Sequence, residues 1–153
     1  MADSNVDRKS LGKKNKAKGS VAERYYRDQF RDIGYDKCVT SRLGSRLHDN
    51  AGIDLILVPY NVQVKVGEQK GLKPREELIS MDTKMRNLFP LESNEFSVPK
   101  IVIHKRYAEG GKRTEFDEIV TMTFKDFKDM AQEIYDLQSI LREKEDELRS
   151  LKK

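Results

Sequence analysis

The chain has 153 residues, 37% apolar and 37% charged, enough for one ordinary domain and a short appendage. Thirty basic residues against 26 acidic ones give a net charge of +4, a balance suited to nucleic acid or another anionic surface. No apolar run reaches the length of a membrane span, the first residues lack the apolar stretch of a secretion signal, and the lone cysteine, Cys38, excludes an internal disulfide and a cysteine-built zinc site. A soluble, cytoplasmic protein with no membrane partner is expected.

Residues 1–19 carry Arg8, Lys9, Lys13, Lys14, Lys16 and Lys18, with only Val6 and Leu11 as sizeable apolar residues. Such a segment buries too little to order itself, and it reads as a flexible basic arm. Ser20 and Glu23 then have the spacing of a capping box. Ala22, Tyr26, Phe30 and Ile33 recur at helical steps, and Gly34 closes the pattern, so the first helix is expected over about 21–33. A short strand over 36–41 and a polar loop over 42–51 (RLGSRLHDNA) follow.

The run 53–58 (IDLILV) reads as a strand, Pro59-Tyr60-Asn61 as a turn, and 62–66 (VQVKV) as a second strand with strict alternation. After a loop over 67–73, Pro74 suits the first position of a helix whose apolar stripe is Leu78, Met81, Met85 and Leu88, and Pro90 ends it. Ile101 to Ile103 lie in a third core strand, Gly110-Gly111 mark a turn, and 118–123 is its partner. From residue 125 onward Phe127, Met130, Ile134, Leu137, Leu141, Lys144, Leu148 and Leu151 alternate at three- and four-residue steps, a heptad seam with one polar position. Residues 125–153 hold 7 basic and 8 acidic side chains, so the positive charge belongs to the rest of the chain.

The chemistry gathers around Glu23, Asp54, Gln63 and Lys65. Alternation turns Gln63 and Lys65 to one face of their strand. A hairpin loop of 58–61 would set Leu57 opposite Val62 and Asp54 opposite Lys65, leaving Asp54 diagonal to Gln63 at about 7–8 Å. Glu23, at the edge of the first helix's stripe, would turn partly toward them. A carboxylate, an amide oxygen and an ammonium in one place suit metal-assisted phosphodiester hydrolysis. Mg²⁺ would be held by Asp54, the Gln63 amide oxygen and the Val64 carbonyl, with Glu23 binding through water or holding a second ion. Lys65 would orient water and neutralise growing charge. Read alone, Glu23 equally completes a capping box, Asp54 suits a turn, and Gln63 and Lys65 suit any half-exposed strand.

The run Lys18-Gly19-Ser20-x-x-Glu23-Arg24, then Gly34-Tyr35, Gly44-Ser45, Asp54 and Gln63-x-Lys65, resembles the archaeal Holliday junction resolvases of the PD-(D/E)XK nuclease superfamily. Gln63 stands where those resolvases carry Glu, and in this the strand is similar to the methyl-directed restriction endonucleases of the same superfamily. The resemblance implies an α/β fold: a restriction-endonuclease-like core with a central mixed sheet flanked by helices. To this the heptads add a long C-terminal coiled-coil helix. It also implies catalytic and metal roles for Glu23, Asp54, Gln63 and Lys65, a homodimer, and paired nicks in four-way DNA junctions. Ser45 would lie near the scissile region. Lys13, Lys14, Lys16, Lys18, Arg24, Arg27, Arg42 and Arg46 would contact DNA phosphates.

The expected organisation is therefore an arm (1–19), a nuclease core (20–124) and a dimerising helix (125–153), with no small-molecule cofactor. Alternatives are a restriction- or repair-type endonuclease acting on duplex DNA, and a non-catalytic DNA-binding protein on a nuclease fold. The absence of GxxxxGK[ST] argues against an NTPase, and neither His48 nor His104 has a metal-ligand partner at useful spacing.

Overall fold

The structure, a computed structural model, describes residues 4–67, 73–106 and 114–152. The chain divides into two units, Met1–Thr121 and Met122–Lys153. The first is an α/β unit built on a five-stranded mixed sheet. Its elements are α1 (Ser4–Asp32), β1 (Val39–Thr40), two short helices α2 (Ser41–Gly44) and α3 (Arg46–Asn50), β2 (Leu55–Ile56), β3 (Asn61–Gly67), α4 (Pro74–Leu88), β4 (Lys100–Arg106) and β5 (Glu118–Thr121). The strands lie side by side in chain order. All neighbours are antiparallel except β3 and β4, which run parallel with α4 in the connection between them.

The first helix begins at Ser4, not near residue 21, so residues 4–19, expected as a flexible arm, are helical. Lys and Ala are good helix formers and no proline interrupts them, although Gly12 and Gly19 each cost about 1 kcal/mol relative to alanine. Ser20 is therefore inside the helix, and the expected capping box does not form. The far end is as expected. Gly34 sits at φ +114°, its N–H donates to the Arg31 carbonyl (3.0 Å), and the Tyr35 N–H donates to the Phe30 carbonyl (3.0 Å). This paired arrangement closes a helix through a left-handed glycine.

Two expected strands are much shorter than their apolar runs. β1 loses 36–38 to a turn in which the Cys38 N–H donates to the Tyr35 carbonyl (2.8 Å) and Arg31 Nε donates to the Cys38 carbonyl (2.8 Å). β2 stops at Ile56 because Leu57 takes φ +63°, which turns the chain out of the ladder. The expected loop over 42–51 is instead α2 and α3, the second capped by Ser45, whose Oγ accepts from the His48 N–H (3.4 Å). β5 ends at Thr121 rather than 123. The expected turn at Gly110-Gly111, and residues 68–72 of the expected loop, lie outside the described residues.

β3 is central, and helices cover both its faces. Val102 of β4, opposite Gln63, belongs to the core under α4 together with Ala51, Ile53, Met81, Met85 and Phe89. Lys105, opposite Val66, places its ammonium 3.7 Å from the Tyr25 ring of α1. Gln63 and Lys65 therefore face α4, whereas Val62, Val64 and Val66 face α1. Pro74 starts α4 as expected, and Phe89 rather than Leu88 completes its buried stripe.

The second unit is α5 (Phe124–Leu151), with Thr123 as N-cap accepting from the Asp126 N–H (3.0 Å). Ile134, Leu137, Leu141 and Leu148 of its seam are all more than half exposed.

Met81 and Met85 are fully buried side chains in the α4 core. Met81→Ala is expected to cost about 2–4 kcal/mol in urea denaturation with the slope unchanged. A loss under about 1 kcal/mol would contradict this packing.

Candidate active site

Leu55 pairs with Val62, two residues out of the expected hairpin register. The even slip keeps Leu55 and Val62 on their expected faces. The register is not regular at Asp54: its N–H also bonds to Val62, so Asp54 and Leu55 both stand opposite one residue of β3 and the expected Asp54–Lys65 pairing does not form. The Asp54 N–H donates to the Val62 carbonyl (2.7 Å), and beyond that point the side chain replaces the backbone: the Val64 N–H donates to Asp54 Oδ2 (2.7 Å). In a strand the N–H and C=O of one residue point to the same side, so the Val64 carbonyl also faces the edge where Asp54 stands.

Burial pushes the Asp54 carboxyl up to about 7. The Val64 N–H opposes that rise, the nearby Glu23 charge adds to it, and Lys65 and Arg42 oppose it more weakly. Gln63 is 5% exposed, and its Oε1 is buried with no hydrogen-bond partner among the described residues. Gly52, at φ +80°, makes room for this amide: a Cβ there would come within 2.9 Å of Gln63 Nε2. A covered carboxyl held near neutrality, an unpaired buried amide oxygen and a carbonyl on the same strand edge fit a hard, oxygen-seeking cation such as Mg²⁺ or Mn²⁺.

Lys65 and Glu23 approach this edge from opposite sides of the sheet. Lys65 Nζ lies 3.3 Å from Glu77 Oε2 of α4 and is partly exposed. Glu23, on α1, is 4% exposed, and its Oε1 accepts from Arg42 Nη2 at 2.8 Å. Arg42 Nη1 donates to Ser20 Oγ (2.9 Å), so the two residues expected to cap α1 instead hold an arginine from α2. Burial raises the Glu23 carboxyl above its ordinary value, against the pull of Arg42.

The remaining expected contacts are spread more widely. Lys13, Lys14, Lys16 and Lys18 are exposed along α1, as are Arg24 on the same helix and Arg46 on α3. Arg27 pairs with Asp28 (2.7 Å). Ser45 Oγ is 2.7 Å from His48 Nδ1, and His48 Nε2 lies 3.6 Å from Glu95. Neither the Glu77 partner of Lys65 nor the glycine cradle under Gln63 is expected from the sequence reading. Glu77 carries only the general signal of an acid in a helix's first turn, and Gly52 the signal of a glycine just before Ile53-Asp54.

Comparison with known proteins adds no relative: no family model, no curated protein and no solved structure matches the chain.

The Asp54 carboxyl has a folded value of about 7 against an ordinary 3.8, so the folded state holds the extra proton between those values. Its contribution to stability is present below about pH 4 and is lost as pH rises through about 7, by on the order of 4 kcal/mol. In EDTA, Asp54→Asn is therefore expected to unfold at a higher temperature than wild type at pH 8, with the gap closing toward pH 4. A gap independent of pH would contradict the shift.

Proposed function

We propose that this protein is a metal-dependent endodeoxyribonuclease of the PD-(D/E)XK type, with a restriction-endonuclease-like core, that resolves four-way DNA junctions. The observation that carries the reading is the Asp54 carboxyl bonded to the Val64 N–H of β3, flanked along that strand by the buried, unpaired Gln63 amide oxygen and by Lys65. The motif order from Lys18 to Lys65 supports it, as does the exposed basic surface of α1.

Asp54, Gln63 and the Val64 carbonyl would hold Mg²⁺ or Mn²⁺. Bound there, the ion would supply Lewis acidity toward the scissile phosphate and lower the pKa of attacking water. Lys65 Nζ offers an ammonium that hydrogen-bonds that water or a phosphate oxygen and offsets the charge that grows there. Lys65 Nζ also lies 3.3 Å from Glu77 Oε2 of α4, which fixes where the ammonium sits. Between Arg8 and Lys18, α1 carries six basic residues and no acidic one, a rod of charge suited to successive backbone phosphates. Such contacts read shape and charge rather than base sequence, which favours a branched substrate over a sequence-defined duplex.

The second unit supports a homodimer. Seven of the eight seam positions of α5 are apolar, and pairing them with the same seam of a second copy as a coiled coil would bury them. Two copies related by a two-fold axis match the two-fold symmetry of a four-way junction.

Two measurements test this. With Mg²⁺ or Mn²⁺, wild type is expected to nick a synthetic four-way junction symmetrically and to spare a linear duplex of the same arms. Lys65→Ala should lose at least 100-fold in rate while still binding the junction. Equal cutting by the variant would refute the assigned site, and junction binding without cutting in either metal would favour the non-catalytic reading. Deleting residues 138–153 is expected to turn a dimer into a monomer by light scattering, and an unchanged mass would remove α5 from the interface.

A further inference from the structure

The Ser20–Glu23 pair has a consequence for how many cations the site holds. The two side chains lie three residues apart on α1 and so on one face of it. Both grip the same guanidinium, Glu23 at 2.8 Å and Ser20 at 2.9 Å, while Arg42 Nε stands 4.0 Å from Asp49 Oδ1. The Glu23 side chain is 6% exposed and that of Arg42 is 37% exposed. The carboxylate is thus covered by its partner, whereas the cation keeps an open side.

We infer that the site takes one divalent cation, held by Asp54, Gln63 and the Val64 carbonyl, and that Arg42 serves as a fixed second cation by keeping Glu23 out of the ligand set. The inference rests on the nuclease reading above. Two-ion phosphodiesterases need several carboxylates shared between the metals. Here no three His, Cys, Asp or Glu side chains gather closely enough to bind an ion, among the described residues. Glu23 could join such a set only by giving up a charge-assisted hydrogen bond inside the protein, leaving a guanidinium without its counter-charge.

Gln63 points the same way. An amide ligand brings no negative charge, so with Asp54 the set carries a single charge, which suits one ion better than two. Arg42 then fills the electrostatic role left over. Its guanidinium is planar and permanently charged, with donors beyond those used by Ser20 and Glu23, and this geometry matches the non-bridging oxygens of a backbone phosphate.

The test is the number of Mn²⁺ ions bound by the full chain, counted from the paramagnetic resonance of free Mn²⁺, for wild type, Glu23→Gln and Asp54→Asn, with folding checked by circular dichroism. One ion per chain is expected in wild type, one ion with affinity within about threefold in Glu23→Gln, and at least tenfold weaker binding in Asp54→Asn. Two ions in wild type, or a Glu23→Gln protein as impaired as Asp54→Asn, would overturn the inference while leaving the nuclease reading intact. A folded wild type that binds no Mn²⁺ would remove that reading, and the inference with it. The wild-type count decides the matter by itself if Glu23→Gln does not fold.

Discussion

The hydrogen bond from the Val64 N–H to Asp54 Oδ2 is the interaction on which the candidate site depends. It exists because the β2–β3 ladder ends early. Leu55 and Val62 pair, the chain just before Asp54 is tied to α3 by the Ile53 N–H donating to the His48 carbonyl (2.9 Å), and the Val64 N–H is met by a side chain instead of a strand backbone. An aspartate side chain takes the vacant position, and a half-buried carboxyl comes to rest against a central strand. Burial then makes its charge costly, and a proton or a bound cation is what can relieve that cost.

Burial on both faces of β3 does the rest. Gln63 would be an ordinary solvent-facing residue on an exposed strand. Under α4, beside Gly52 and opposite Val102, it becomes a covered amide with an unpaired oxygen. Several other polar groups on these strands have partners in the protein, although His104 Nε2 on β4 is, like the Gln63 oxygen, buried without one among the described residues. Lys105 stacks on Tyr25 and lies 3.5 Å from Glu118, Lys65 pairs with Glu77, and Asn61 Nδ2 donates to the Glu95 carbonyl. On β3 itself, the Gln63 oxygen is the buried side-chain atom without a partner among the described residues.

What was legible in the sequence was local. Gly34 closing α1, Pro74 opening α4, Pro90 just beyond its end and the alternation of β3 each follow from the conformational limits of a few adjacent residues. That Gln63 and Lys65 share one face of β3 was legible for the same reason; the position of Asp54 was not, because both it and Leu55 stand opposite Val62. What was not legible depended on distant partners. Ser20 and Glu23 have the spacing of a helix cap, yet they bind Arg42, 22 and 19 residues away. The positive φ of Leu57 shortens β2 although leucine carries no turn signal. The burial of Gln63 depends on α4, which no alternation pattern announces.

The most direct measurement is an anomalous-scattering map from crystals grown with Mn²⁺. The site described here requires one peak per chain, within ligand distance of an Asp54 carboxylate oxygen and of Gln63 Oε1. A map with no peak there, and with the Gln63 oxygen turned onto a protein donor, would contradict it.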